Sequence, residues 1–233
     1  MYLVHGFNVN RASGQGKLAE LGAQVLARAA DTAIVVVTWP GDSWAGPASY
    51  PFEGNDADDS GSELARFIDR VHPAGTELSF VSHSLGARVV FETVKTLAPA
   101  RYPVRQVCVM AAAIDDFSVS ATEDYRVEVE LAGRVAVLAS ARDPVLRLAF
   151  PLGDLLQAFL FFWKDVSGLA LGFHGPRPSG SYAVPANVVH VQIADSLGVG
   201  HGDYLYAGTP NEAQSRAAAF ATAAMAGDPS LSF

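Results

Sequence analysis

The chain has 233 residues, of which 50% are hydrophobic and 17% charged, and this suits one globular domain over residues 1–233 with a large core. Sixteen Lys and Arg against 24 Asp and Glu leave a net charge of −8, which argues against nucleic acid or an anionic membrane surface as a main partner. A single cysteine, Cys108, excludes an intrachain disulfide and a cysteine-rich metal site. The first residues show no basic region followed by an apolar stretch. The most apolar run, Leu155 to Trp163, is shorter than the roughly 20 residues a bilayer-spanning helix needs. The expectation is a cytoplasmic protein with no integral membrane segment.

Strand-like and helix-like runs alternate along the chain. Tyr2 to His5 reads as a strand, and Leu18, Leu21, Gly22, Val25, Leu26 and Ala29 follow at helical spacing. Ile34 to Trp39 is a buried-strand pattern stopped by Pro40-Gly41. Leu64, Phe67, Ile68 and Val71 mark one helical face, with a start expected at Asp59 or Ser60. Glu77 to Val81 predicts a strand and Ala87 to Leu97 a helix. Further strands are expected at Val104 to Ala113, Arg134 to Ser140 and Asn187 to Ile193. In Thr209-Pro210-Asn211-Glu212, the threonine reads as a helix cap, the proline as the first helical residue and the glutamate as the third residue after the cap. That helix should run to about Ala226 and stop at Gly227. The alternation predicts an α/β fold with a mostly parallel sheet of about six strands and helices on both faces.

In such sheets chemistry gathers at the carboxyl ends of the strands. Ser82-His83-Ser84-Leu85-Gly86 lies between a strand and a helix, where a sharp turn lifts a serine hydroxyl clear of the backbone. The usual first glycine of that turn is replaced by Ser82, which is small enough to fit. Ser84 is the candidate nucleophile, and a serine hydroxyl near neutral pH needs a base with an orienting partner. His201, in Gly198-Val199-Gly200-His201-Gly202-Asp203, follows the last strand and is the candidate base. Asp143, after the Arg134 to Ser140 strand, is the preferred acid, with Asp115 and Asp116 as alternatives. Asp143 also precedes Pro144, so it equally suits a helix cap. Acyl transfer develops a negative oxygen, and the Leu85 N–H and the Phe7 N–H are the expected donors to it. Gly6 permits the close backbone path this requires, and His5 is expected to brace the turn.

These residues resemble an α/β-hydrolase, specifically the small bacterial hydrolases with a Val-His-Gly-Phe-Asn oxyanion turn. The matching segments are Val4-His5-Gly6-Phe7-Asn8, Thr38-Trp39-Pro40-Gly41, Ser82 to Gly86, Ser140-Ala141-Arg142-Asp143 and Gly200-His201, in the family's order. The resemblance implies Ser84, Asp143 and His201 as nucleophile, acid and base. It implies ester hydrolysis without a metal or organic cofactor. Around the substrate, His5, Gly6, Trp39, His83 and Phe159 are the candidate contacts, with Trp44 and Phe7 near them.

Two departures from that pattern stand out. Met1 directly precedes the strand that carries the oxyanion turn, so the family's first two strands are expected to be absent. The sheet order expected in the family's numbering is then 4-3-5-6-7-8, with Ile34 to Trp39 at an edge that something must cover or pair. Residues 144–185 form an apolar insert before the last strand, read either as a lid or pocket wall over Ser84 or as packing against the sheet. The edge strand or the insert would also suit a homodimer contact. The function expected is cleavage of a small-molecule carboxylic ester through an acyl-enzyme. Thioesterase or acyltransferase chemistry with the same triad is one alternative. A non-catalytic binding or assembly module is the other.

Overall fold

A computed structural model describes residues 1–6, 11–28, 31–40, 53–97, 101–148 and 169–233. Six strands form one all-parallel sheet, β1 (Tyr2–Val4), β2 (Val35–Val37), β3 (Leu78–His83), β4 (Val104–Met110), β5 (Arg134–Ser140) and β6 (Val188–Ile193). Their spatial order is β2-β1-β3-β4-β5-β6, the order expected from the sequence. The parallel fold class is therefore borne out. Tyr2, Leu3, Val4, Phe80, Val107 to Met110 and Val135 to Ala139 are all buried. Continuous apolar strands of this kind belong in a sheet covered on both faces.

Right-handed crossovers decide which face each helix takes. From β1 the chain passes through α1 (Arg11–Leu26) to β2 in one direction across the sheet. From β2 through α2 (Glu53–Val71) to β3, and from β3 through α3 (Gly86–Thr96) to β4, it passes in the other. The first helix therefore lies on one face and the next two on the opposite face. Accordingly α2 packs on α3, and α1 packs against the last helix, Glu212–Met225. Arg88 of α3 donates from Nε and Nη2 to Asp58 of α2 at 2.6 and 2.7 Å, which pins the pair.

Several boundaries differ from the sequence expectation: β3 runs on to His83 and β4 ends at Met110, and three further differences have a physical reason. The edge strand is confined to Val35–Val37, all half-buried. α2 starts at Glu53, not at Asp59 or Ser60, because its polar first turns still carry Ala57 into the core and Asp58 to Arg88. The last helix is capped by Asn211, not Thr209. The Asn211 side chain accepts from the Gln214 N–H at 2.8 Å, and the Gln214 side chain accepts from the Asn211 N–H at 3.0 Å. This reciprocal pair satisfies two end donors at once, which Thr209 with Glu212 cannot do from two residues earlier. The end at Gly227 (φ 73°) is as expected.

Residues 149–168, including Phe159, lie outside the described residues, as do Phe7, Asn8 and Trp44. The described end of the apolar insert is packed against the sheet. Ala170 bridges Asp115, and Gly172 sits so close to Ala111 and Ala112 that an added Cβ would lie 2.2 Å from their backbone. No helix among the described residues is long and apolar enough to cross a membrane.

Candidate active site

β3 carries the turn that presents Ser84. The backbone there is left-handed (φ 56°), a conformation that costs a non-glycine residue about 1–2 kcal/mol. Its neighbours hold it in place. The Ser84 N–H donates to the Met110 carbonyl at 3.0 Å, and the Ser84 carbonyl accepts from the N–H groups of Ala87 and Ala113, both at 3.1 Å. Packing supplies the need for small flanking residues. A Cβ on Gly86 would lie 2.5 Å from the His5 carbonyl oxygen and 3.0 Å from that of Val4, so α3 can approach β1 only with glycine there. Ser82 pairs with Val4 and Val109 inside the sheet, and it is buried. A serine is tolerated where the usual pattern has glycine.

Gly6 is held by the same crowding from the other side. An added Cβ would stand 2.6 Å from the Ser84 Cβ and 3.1 Å from the His83 carbonyl oxygen. Real Cβ contacts are not that short, so Gly6→Ala must displace the candidate nucleophile. We expect a fall in kcat of about 100-fold or more, since misplacement by about 1 Å is enough for that. Turnover measured beside a thermal melt separates displacement from unfolding. A variant within threefold of wild type would show that Ser84 does not need its position.

Three of the sequence candidates meet. The Ser84 hydroxyl lies 2.9 Å from His201 Nε2, and His201 Nδ1 lies 2.7 Å from Asp143 Oδ2. A carboxylate can only accept, so Nδ1 carries the proton and donates to Asp143. Nε2 then has a lone pair facing the Ser84 O–H. Asp143 is fully buried. Its second oxygen, Oδ1, accepts from the N–H groups of Val145 and Leu146 at 2.9 and 3.1 Å. Residues 144–148 are helical, so the geometry has room for both sequence readings of Asp143: one oxygen caps a helix and the other lies against the His201 imidazole. Neither alternative carboxylate takes that place. His201 Nδ1 pairs with Asp143 instead, and Asp116 pairs with the Arg177 guanidinium.

The loop carrying His201 is tied down at three points. Ser140 Oγ donates to the Val199 carbonyl at 2.6 Å, the Gly200 N–H donates to Asp203 Oδ2 at 2.8 Å, and the Asp203 N–H returns to the Gly200 carbonyl at 3.1 Å. The roles of Ser140 and Asp203 had no signal in the sequence beyond lying within the recognised segments. On the other side, no described group accepts from the Leu85 N–H, which stands at the start of α3 beside Ser84. Among the described residues it is a donor without an acceptor, next to the Ser84 hydroxyl. The second expected donor, Phe7, lies outside the described residues.

His5 braces the turn. Its Nδ1–H donates to the Gly6 carbonyl at 2.7 Å, and its Nε2 accepts from the Trp39 N–H at 3.4 Å. Trp39 stacks on the His5 ring at 5.9 Å, and its indole N–H donates to the His5 carbonyl at 2.8 Å. Trp39 is therefore buried support for the turn, and it is not among the described residues that line the cleft. The cleft beside Ser84 is formed by His5, Gly6, Gly14, Lys17, His83, His201, Gly202 and Leu205. Gly14, Lys17, Gly202 and Leu205 were not legible as lining residues, because nothing in α1 or the last loop marks which face meets the turn.

No curated protein matches the chain. A family model described as alpha/beta hydrolase of unknown function (DUF900) matches residues 1–154, which include Gly6, Ser84 and Asp143. The match spans well over half of the 233 residues, and the chain belongs to this α/β-hydrolase family.

Proposed function

We propose that the protein is a serine hydrolase that cleaves a carboxylic ester through an acyl-enzyme, with Ser84 as nucleophile, His201 as general base and Asp143 as its orienting acid. The observation that carries this reading is the continuous hydrogen-bonded series from Ser84 Oγ through both nitrogens of His201 to the buried Asp143. In it, Ser84 Oγ attacks the acyl carbon while His201 Nε2 takes its proton, and Asp143 stabilises the imidazolium that forms. The Leu85 N–H, with that of Phe7, stabilises the tetrahedral oxyanion. His201 returns the proton to the departing alcohol, and a water deprotonated by His201 then releases the acid and frees Ser84. The same relay would serve a thioesterase or acyltransferase; His5, Gly6 and His83 stand at the cleft and are proposed substrate neighbours.

Covalent labelling tests the reading without knowledge of the natural substrate. A fluorophosphonate should modify the native protein once, and peptide mapping should place the adduct on Ser84. A short-chain chromogenic ester should be turned over by the unlabelled protein and not by the labelled one. Absence of both labelling and turnover would instead favour a binding or assembly module that keeps the fold.

A further inference from the structure

His83 makes a contact that the relay itself does not require. Its ring is buried, and its Nε2 lies 3.0 Å from the backbone carbonyl oxygen of His201. A carbonyl only accepts, so Nε2 carries the proton of the neutral ring and donates it. No other described group donates to that carbonyl. The His83 ring also packs against the His201 imidazole at 4.8 Å and against Tyr204 at 5.6 Å. Room for it depends on Gly6, where an added Cβ would lie 3.3 Å from His83 Nδ1. Burial, and then the neighbouring His201, push the His83 pKa well below the ordinary histidine value, with Lys17 and His5 acting in the same direction. The ring therefore stays neutral near pH 7 and keeps the proton arrangement this bond needs.

The consequence is geometric. Ser84 and His83 are consecutive residues at the end of β3, whereas His201 arrives from a loop 118 positions further on than His83. Ser140 fixes that loop at Val199, on the N-terminal side of the base, and Asn211 donates to Asp203 Oδ1 at 3.3 Å on the other side. Among the described residues, only His83 ties the base's own peptide directly to the strand that presents the hydroxyl.

We propose that His83 is a positioning residue for the relay: by donating to the His201 carbonyl it holds the imidazole at hydrogen-bonding distance from Ser84. This rests on the ester-hydrolase reading for its effect on rate. Its effect on the geometry does not depend on that reading.

The test compares His83→Phe, which keeps an aromatic ring and loses the donor, with His83→Gln, whose side-chain N–H can occupy a similar place. On a chromogenic ester, His83→Phe should lower kcat by about 30- to 100-fold with KM within threefold, the scale of a displaced catalytic group. His83→Gln should recover to within about fivefold of wild type. In parallel, proton NMR should show the His201 Nδ1–H resonance shifted or broadened in His83→Phe and restored in His83→Gln. That second readout needs no substrate, so it separates failure of this proposal from failure of the hydrolase reading. Should His83→Phe not fold, His83→Leu replaces it as the variant without a donor. The proposal is overturned by a donor-free variant with wild-type kcat and resonance, by equal losses in the donor-free and Gln variants, or by a change confined to KM.

Discussion

Ser84→Ala should reduce turnover of a chromogenic ester by about a millionfold, to the level that oxyanion donors and binding alone can support. The reason is that no other hydroxyl among the described residues lies at Nε2 of His201, so the covalent route is lost as a whole. Activity retained above about 1% in a preparation free of wild-type protein would mean another group attacks the acyl carbon. Stability provides an independent reading of the same residue. The left-handed backbone at Ser84 (φ 56°) is strained for serine and alanine alike, but open to glycine. Ser84→Gly should therefore be as inactive as Ser84→Ala and more stable by about 1 kcal/mol. Denaturant titration of the two variants measures that difference, and equal stabilities would mean that the turn is not strained.

Asp143→Asn should leave the fold nearly unchanged and still lower kcat by about 10,000-fold. Asparagine caps helices as well as aspartate does, so its oxygen can keep the bonds from Val145 and Leu146. The other arm of the amide is then an NH2 group facing His201 Nδ1, which is 2.7 Å from the carboxylate in the native site. Two donors cannot face each other, so the ring must take the tautomer with its proton on Nε2. That tautomer has no lone pair for the Ser84 proton. Asp143→Ala supplies the contrast, because it removes both bonds to the helix and should also cost about 1 kcal/mol of stability. Steady-state kinetics with thermal melts of both variants decide the matter. An asparagine variant within tenfold of wild type would show that Asp143 is only a cap.

The two roles of Asp143 illustrate what a sequence can carry. Asp-Pro after a strand supports a cap and a catalytic acid equally, and nothing local separates them. The geometry leaves room for both, because a carboxylate has two oxygens and the helix uses only one. The last helix shows the opposite case. Thr209-Pro210 is a plausible start, but the Asn211–Gln214 pair satisfies more end donors and shifts the start by two residues. Trp39 was legible as a large residue near a strand end, yet its face was not. The structure stacks it on His5 and ties its indole N–H to the His5 carbonyl.

Residue type and chain order pointed to the parallel sheet and the turn at Ser84, and the resemblance to the family supplied the strand order. Buried parallel strands must be continuously apolar, and right-handed crossovers leave few arrangements for six of them. Tertiary structure alone decided which groups touch. Asp143 and His201 are 58 positions apart and Ser84 and His201 are 117, so no local spacing brings them within 3 Å. That meeting comes from packing: Gly6 and Gly86 let backbones approach, and the His201 loop is held to β3 and β5 by His83 and Ser140.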